Sequence, residues 1–269
     1  MIRRLVKISI ASAVWLFDRI HAALLALLGR AAPRRTVILY YHAVTDQERH
    51  RFADQMDLLL RKARPVTADL RRLPTDPGLQ VAVTFDDGFA SVVENAVPEL
   101  RRRGIPYMVF FPTGSWNARP NWIRSERHPS WVERVLSREE LRDLAQDPLV
   151  TIASHSINHP NFLEITPETA DREFRESRAE LEKVLDRPID LFSFPHGAHD
   201  SRLVDQARQA GYRGIYTVRP ELVDRAGTDF VAGRIATNPG DWEIEFRLKL
   251  SGAFRWQAWL AGRGTPSAS

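Results

Sequence analysis

Two clusters of polar side chains in this sequence have residue types and spacing suited to catalysis. The first spans residues 84–88 (Thr-Phe-Asp-Asp-Gly) and directly follows an apolar run. Two consecutive carboxylates at the end of a buried segment repel each other and lose hydration unless a cation lies between them or one holds a proton. Gly88 permits a sharp turn that brings Asp86 and Asp87 to the same place. Taken alone, this pattern equally describes an Asp-Asp-Gly turn on the protein surface.

The second cluster spans residues 154–160 (Ser-His-Ser-Ile-Asn-His-Pro) and also follows an apolar run. His155 and His159 are four positions apart, which predicts that both imidazoles project from one side of a helical turn and share a metal. Such a pair alone is often incidental. With a carboxylate from the first cluster, it becomes a His, His, Asp set that leaves a coordination position open, as catalytic metal sites require. The chain has no cysteine, so any metal must be held by His, Asp or Glu.

The two motifs, in this order, resemble those of the NodB-type polysaccharide deacetylases of carbohydrate esterase family 4. The resemblance extends over roughly residues 37–237. It implies an α/β fold, a distorted (β/α) barrel of about seven strands, and metal-dependent removal of N- or O-acetyl groups from glycans. It also implies that Asp86 is the general base and that one divalent metal is bound by Asp87, His155 and His159. Zn is the first expectation for that metal, and Co, Ni or Fe also suit imidazole and carboxylate ligands.

A third cluster, residues 193–197 (Ser-Phe-Pro-His-Gly), departs from the pattern of this family. In the family the motif supplies a backbone N–H to the oxyanion, which assigns that part to Pro195, His196 and Gly197. The common pattern places an Arg two residues before the proline and an aromatic residue after it. Ser193 and His196 stand at these positions instead. We expect Arg234 to replace the missing cation that orients Asp86, with a surface arginine as the alternative.

The general acid is predicted by elimination. Many family members draw it from a histidine near the end of the domain, but none of the eight histidines here follows His199. The remaining candidates are His42, His196 and His199. His42 ends the run Leu-Tyr-Tyr-His, which resembles the branch that includes the poly-N-acetylglucosamine deacetylases, where an early histidine serves as the acid. We therefore assign His42 to protonate the departing amine; the alternative is a satisfied core histidine.

The elements that must position these residues alternate short apolar runs with amphipathic helical runs. This order predicts a mainly parallel sheet, curled into a barrel, with function at the carboxyl ends of the strands. No repeat or Gly/Ser linker divides it, so residues 35–240 are expected to be one catalytic domain. The predicted strands are residues 37–41, 81–85, 107–111, 150–153, 189–194, 214–218 and 231–236, and the clearest predicted helices are residues 52–61, 167–185 and 201–209.

The first 34 residues are predicted to form an amphipathic leader helix at a membrane surface. Its uncharged stretches, residues 8–17 and 20–29, are each too short to span a bilayer, which takes about 20 residues. A wide apolar face with a thin charged stripe is typical of an interfacial helix. Packing on its own domain and an uncleaved signal anchor are the alternatives. On a helical wheel the charged stripe collects Arg3, Arg4, Lys7, Asp18 and His21.

Residues 241–269 form a predicted aromatic-basic tail. Aromatic residues beside arginines favour contact with lipid headgroups, and capping of the core explains the same pattern equally well. Because basic residues flank the leader on both sides, the side of the membrane stays open. The tail pattern comprises Phe246, Leu248, Leu250, Phe254, Trp256, Trp259 and Leu260 interspersed with Arg247, Lys249, Arg255 and Arg263.

Composition narrows the function further. The 269 residues carry 38 Lys and Arg against 34 Asp and Glu, a net charge of +4 that is small for this length, so nucleic acid is not an expected partner. The sequence therefore predicts a deacetylase of an N-acetylhexosamine-containing glycan at a bacterial-type cell membrane, peripheral or anchored. The same chemistry on a lipid-linked saccharide, an O-acetyl ester or peptidoglycan is one alternative. A non-catalytic glycan-binding scaffold is the alternative from a different class.

Overall fold

The protein is built around one curled parallel sheet. The computed structural model describes residues 1–30, 35–74, 76–223 and 230–261. The strands are β1 (Arg35–Tyr41), β2 (Arg64–Pro65), β3 (Leu79–Phe85), β4 (Tyr107–Phe111), β5 (Val150–Ser154), β6 (Leu191–Ser193), β7 (Gly214–Tyr216), β8 (Val231–Ala232) and β9 (Ile235–Ala236). They run in the order β8-β7-β6-β5-β4-β3-β1-β9, with β2 paired to β3 off this path. Because every named pair is parallel, the carboxyl ends of the strands gather at one end of the sheet.

The predicted fold class and all seven predicted strands are confirmed, with one difference at the end of the domain. The predicted strand over residues 231–236 is two strands, β8 and β9, which lie at opposite edges of the sheet. The two residues that join them, Gly233 and Arg234, bridge the seam where the edges meet. No strand pairing links β8 to β9 in the described part of the chain, so the barrel is curled rather than closed by hydrogen bonds.

Alternation along the strands produces two apolar layers. Side chains on one face, such as Ile38, Ala82 and Phe110, fill the inside of the curl. Their neighbours on the other face, such as Leu39 and Val83, pack against the surrounding helices. Strands buried on both faces read as continuous apolar runs, which is why the sequence shows them without a polar alternation.

Helices cover the outside of the curled sheet, and three of them begin at side-chain caps. A capping box is present at Ser137, whose hydroxyl accepts from the backbone N–H of Glu140 while the Glu140 carboxylate accepts from the backbone N–H of Ser137. Thr166 and Asp200 cap the following two helices, each accepting from one backbone N–H of the first turn. The covering helices are α2 (Arg49–Lys62), α3 (Val97–Arg103), α4 (Arg138–Leu144), α5 (Pro167–Leu185) and α6 (Ser201–Gln209).

The amino-terminal segment is one uninterrupted helix, α1 (Ile2–Leu27). The two uncharged stretches, each too short to span a membrane, are joined in this single helix of 26 residues. Among the described residues, α1 is the one helix long and apolar enough to cross a membrane, by length and composition alone. Asp18 and Arg19 do not interrupt it, because a charged residue costs a helix little when its side chain finds a partner or water.

Two residues of the charged stripe of α1, Arg4 and Asp18, face the protein, whereas Arg3, Lys7 and His21 are exposed. Asp18 is buried and Arg4 is half-buried against the carboxyl-terminal helices α7 (Glu243–Leu250) and α8 (Trp256–Ala261) and the turn between them. Of the predicted tail, Phe246, Leu248, Leu250, Phe254 and Trp256 cap the core, whereas Trp259 and Leu260 are exposed. Residues 262–269, including Arg263, lie outside the described residues.

Candidate active site

Asp86 and Asp87 lie at the carboxyl end of β3 in a backbone turn that few residues adopt. The φ angles of Asp87 and Gly88 are 71° and 61°, in the left-handed region. A Cβ on Gly88 would approach Cδ2 of Phe111 to 2.4 Å, so a side chain at this position would collide with β4. The backbone N–H of Asp86 donates to the carbonyl of Tyr41 at 2.9 Å, which ties the turn to the end of β1. The turn therefore sends the two carboxylates to different partners on the same side of the sheet.

The segment that carries His155 and His159 is an irregular loop after β5, not the predicted helical turn. Ser156 and His159 have φ angles of 70° and 54°. These left-handed residues fold the loop back so that both imidazoles face Asp87. The spacing of four residues thus brings the two rings together through a different backbone path from the one expected, and their ring centroids are 4.9 Å apart.

Glu173, which the sequence analysis did not single out, holds this loop. It lies on α5 and is 2% exposed. Its carboxylate accepts hydrogen bonds from the backbone N–H groups of Ile157 and Asn158, at 2.7 and 3.0 Å, and from the Asn158 amide at 2.8 Å. The sequence feature that could have identified Glu173 is its place as an acidic residue within the apolar stripe of α5, between Ala170 and Phe174. A carboxylate there needs buried donors, and the backbone of the loop provides them.

Asp87, His155 and His159 are buried together in an arrangement that fits a metal ion. Their ligand atoms all lie within 4.8 Å of one another. The imidazole Nε2 atoms of His155 and His159 are 3.6 and 3.3 Å from Oδ1 of Asp87. That oxygen is buried without a hydrogen-bond partner among the described residues, as is Nδ1 of His159. Buried polar atoms are rarely left without a partner, and a cation among these three ligands would satisfy the carboxylate oxygen.

The protonation states of His155 and Asp87 also favour metal binding. His155 donates from Nδ1 to the carbonyl of Ser193 at 2.8 Å, which leaves its Nε2 lone pair directed at Asp87. Burial lowers the pKa of His155 to about 4, so the ring is neutral at pH 7. Burial acts to raise the pKa of Asp87, but the adjacent His159 holds it well below its usual range. The set therefore offers one carboxylate and neutral imidazole, the forms that bind a metal.

Arg234 is fully buried and pairs with Asp86 in a bidentate ion pair. Its Nη1 and Nη2 atoms lie 2.7 and 2.8 Å from the two carboxylate oxygens. Nη2 also donates to Oγ of Ser193 at 2.7 Å, and Nη1 to Oγ1 of Thr84 at 3.2 Å. Burial would raise the pKa of Asp86, but the charge of Arg234 lowers it below the usual value. Asp86 is thus held ionised and fixed in position.

The third cluster forms one wall of an open cleft of about 400 Å³ above the metal-ligand set. Pro195–Gly197 is a tight turn after β6, in which His196 takes a left-handed φ of 57°. The His196 ring packs edge-on to His159, with centroids 4.6 Å apart. Trp122 forms the opposite wall and stacks on His159 at 4.7 Å. The sequence analysis did not single out Trp122, because a loop aromatic carries no spacing signal.

The structure separates the three histidines considered for the general acid. His42 lies directly after β1, is exposed and lines the cleft together with Asp87, His159 and His196. His199 is not among the cleft-lining residues; its ring stacks on Phe194 and contacts the carbonyl of Gly197 at 2.8 Å. His42 and His196 therefore line the cleft, and His199 does not.

Residues 74–215, more than half of the chain, match the polysaccharide deacetylase family. The chain belongs to the polysaccharide deacetylase family. A curated relative, YxkH of Bacillus subtilis (strain 168), whose name assigns it to the same family, is 24% identical over 160 residues, which are 60% of this chain and 52% of YxkH. The chain thus spans about half the length of this relative.

Two solved structures share the fold. The structure of IcaB from Ammonifex degensii has a TM-score of 0.68 and 24% identity, over 83% of this chain and 99% of that one. A de-N-acetylase from Aggregatibacter actinomycetemcomitans has a TM-score of 0.64 and 17% identity, over 80% of this chain and 99% of that one. Each similarity covers four fifths or more of this chain.

Replacing Arg234 by Met is expected to destabilise the protein through Asp86. The variant leaves a buried carboxylate without its cation, which costs about 3–5 kcal/mol of unfolding free energy near neutral pH. In the natural protein the pKa of Asp86 lies below its usual value. The pair therefore stabilises the fold at pH values above that usual value, and this stability is lost as the pH falls through the lowered pKa. In Arg234→Met, burial without the arginine raises the pKa of Asp86, so stability is lost as the pH rises. Urea denaturation at pH 5 and pH 7.5 measures both effects.

The matched control is Arg234→Met combined with Asp86→Asn. Because the amide carries no charge, the double variant should recover part of the lost stability at pH 7.5 and lack the additional pH dependence of Arg234→Met. Equal stability of Arg234→Met and the natural protein at pH 7.5 would contradict the importance of the pair.

Proposed function

We propose that this protein is a metal-dependent deacetylase that removes N-acetyl groups from an N-acetylhexosamine-containing glycan. One observation carries the proposal: a buried His, His, Asp ligand set lies beside a carboxylate that Arg234 keeps ionised, at the floor of an open cleft. Family membership supports the same reaction class. A neighbour in structure is itself described as a de-N-acetylase.

The metal would be held by Asp87, His155 and His159. One divalent ion, Zn first and Co, Ni or Fe otherwise, would supply polarisation of the acetyl carbonyl and a lowered pKa for water. Three protein ligands leave coordination positions free on the cleft side, which is the arrangement of catalytic rather than structural sites.

Asp86 would act as the general base. Both of its oxygens already accept hydrogen bonds from Arg234, so the side chain is oriented and its remaining lone pairs can accept a proton from the attacking water. Asp86, which would take up this proton, is next in sequence to the proposed metal ligand Asp87. The Arg234 charge offsets the cost of keeping this carboxylate ionised in a buried position.

His42 would act as the general acid and protonate the amine as the C–N bond breaks. It lines the cleft, and the register of β1 and β3 places Tyr41 beside Phe85, so the proposed acid stands at the strand end next to that of the proposed base Asp86. The backbone N–H groups of the Pro195–Gly197 turn would stabilise the oxyanion. Trp122 offers an indole face in the cleft, against which a sugar ring can pack.

A non-catalytic glycan-binding scaffold fits these contacts less well. Binding needs no ionised carboxylate beside a metal-ligand set, and keeping one there costs desolvation that Arg234 must offset. Arg234, itself held by Ser193 and Thr84, keeps this one carboxylate ionised and in position, which favours catalysis.

Acetate release tests the proposed reaction directly. The full-length protein should release acetate from N-acetylglucosamine oligosaccharides, and the release should stop after chelation and in Asp87→Ala. Asp186→Ala is the matched control, because Asp186 also has a left-handed φ, of 50°, but is exposed and distant from the ligand set. Metal content measured on the same samples should fall only in Asp87→Ala. Acetate release that survives both treatments would overturn the proposal, and release from O-acetyl esters alone would reassign the substrate.

Replacing His42 by Ala should lower the turnover number by about 10²–10⁴-fold, the usual contribution of general acid catalysis. Bound metal and KM should change little, because His42 is not in the ligand set. His199→Ala is the control and should retain activity, since His199 does not line the cleft. A loss of metal in His42→Ala would instead identify His42 as a ligand.

We also propose that the protein associates with a membrane surface through α1. The apolar residues of α1 are exposed to a degree that soluble proteins rarely show over a whole helix. Only 11% of an 18-residue apolar stretch of this helix is buried. Leu16, Phe17, Ile20 and Leu24 each expose more than half of their side chains. A face of this kind is stable when lipid covers it.

Co-sedimentation with vesicles of phosphatidylethanolamine and phosphatidylglycerol tests this association. Replacing Leu16 and Leu24 together by Glu should weaken binding about tenfold or more, because two charges must leave water at the apolar boundary. Val132→Glu, at an apolar residue that is 84% exposed elsewhere on the protein, is the control and should bind like the natural chain. Unchanged binding of the double variant would contradict the role of α1.

A further inference from the structure

The two sides of α1 have opposite environments. The side against the domain carries Arg4, Ile8, Ala11 and Asp18, and both Ala11 and Asp18 are buried. At about 100° per residue, the exposed apolar residues lie on the opposite side of the helix. The helix thus turns Arg4 and Asp18 inward among small or apolar residues that pack on the domain, and it leaves most of its large apolar residues outward. The outward residues are Leu5, Val6, Ile10, Leu16, Phe17, Ile20, Leu24 and Leu27.

Two ion-pair clusters fasten the inward side. In the first, which we call the Asp18 clasp, Asp18 accepts a bidentate pair from Arg255 at 2.8 and 2.9 Å and pairs with Arg35 at 2.7 Å. In the second, the Arg4 clasp, Arg4 pairs with Glu245 at 2.6 Å and donates to the carbonyl of Gly240. The Asp18 carboxyl is buried, and despite that burial its two arginine partners keep its pKa below the usual value.

The clasps hold the helix flat along the domain. Fourteen positions separate Arg4 from Asp18, which is about 21 Å along the axis. A hydrocarbon core is about 30 Å thick. If α1 crossed a bilayer with both clasps closed, the domain residues that form them would have to enter the hydrocarbon with it. A spanning helix is therefore incompatible with these contacts.

An exposed tryptophan lies beside each clasp. The Arg4 guanidinium stacks 4.3 Å over the ring of Trp242, and that of Arg255 lies 5.6 Å from the ring of Trp259. The two tryptophans are 42% and 56% exposed. Indole rings concentrate at the level of lipid headgroups. Trp242 thus lies near the amino-terminal end of α1, and Trp259 lies near Asp18 in its second half.

Basic residues without an ion-pair partner among the described residues border the outward face. On the wheel, Arg3 lies along one edge of that face and Arg19 along the other, with exposed Lys7 between Arg3 and Asp18. Their charges complement an anionic lipid surface and would lie level with its headgroups when the apolar face is inserted.

We propose that the protein docks as a rigid unit on an anionic bilayer surface, with α1 in the plane of the interface and both clasps closed. The docking surface consists of the outward face of α1 together with Trp242 and Trp259. This rests on the membrane association proposed above and assigns its geometry: the helix lies in one leaflet and does not cross. The domain is thereby held at a fixed orientation to the membrane rather than on a flexible tether.

A depth profile along α1 tests this geometry in the full-length protein. The natural chain has no cysteine, so Val6→Cys, Leu16→Cys and Leu27→Cys each give one labelling site for a nitroxide. These residues are more than half exposed, so the label should not disturb packing. Depth is measured in phosphatidylethanolamine and phosphatidylglycerol vesicles from relative accessibility to oxygen and to a water-soluble nickel complex. Val132→Cys serves as the label that stays in water.

The in-plane geometry gives three similar, shallow depths. A Leu16 label near the bilayer centre, with Val6 and Leu27 labels near opposite surfaces, would overturn the proposal and establish a spanning helix. Absence of all three labels from the bilayer would overturn the membrane association itself, while acetate release from soluble oligosaccharides would still test the deacetylase function independently.

The Asp18 clasp has its own variant. Asp18→Leu removes the carboxylate that holds Arg255 and Arg35, so the helix should become free to tilt and the Leu16 label should move deeper. Ala13→Leu adds a similar side chain on the outward side of α1 and should leave the depth profile unchanged. An unchanged profile in Asp18→Leu would show that the clasp does not set the orientation.

Discussion

The buried pair of Arg234 and Asp86 is the interaction on which the rest of the site depends. A guanidinium has five N–H bonds, and all five of its possible hydrogen bonds are made. Their acceptors are the two carboxylate oxygens of Asp86, the hydroxyls of Thr84 and Ser193, and the carbonyl of Thr217. These groups belong to three different strands or their ends, and Arg234 itself bridges the two edges of the sheet. One side chain therefore fixes the base and joins the seam of the curled sheet, while the rings of Tyr40 and Phe110 enclose it at 4.8 Å.

Ser193 couples this pair to the metal-ligand set. Its hydroxyl accepts from Arg234, and its carbonyl accepts from Nδ1 of His155. The family resemblance places an arginine at this position, but a second guanidinium beside Arg234 would be repelled and would have no room in a fully buried site. The small Ser193 and the buried Arg234 consequently occur together. Arg234, between β8 and β9, supplies the cation, and Ser193, at the position of the usual arginine, contacts both the cation that orients Asp86 and the imidazole of His155, whose tautomer it fixes.

Backbone strain is concentrated where the ligands are positioned. Among the described residues, six non-glycine residues have a positive φ, and four of them, Asp87, Ser156, His159 and His196, belong to the site. Such conformations cost of order 1–3 kcal/mol each and persist only when neighbours impose them. Glu173 supplies that constraint for the His155–His159 loop through three hydrogen bonds. The strand ends alone would not bring three ligands to one point; the strained turns do so.

Strands, caps and the two polar motifs were predictable because each depends on local pattern: a doubly buried strand is continuously apolar, and a capping box has a fixed spacing. Loop paths were not, since the same His-x-x-x-His spacing is compatible with a helical turn and with the left-handed loop observed. Glu173 and Trp122 act through contacts distant in sequence, which no window reveals. The helical wheel of α1 is the most instructive case. It grouped Arg4 with Asp18, but an amphipathic pattern does not show which side of a helix meets protein. That is decided by complementary charges far along the chain, here Glu245 and Arg255, so the side that carries Arg4 and Asp18 packs on the domain and a large apolar face is left outward.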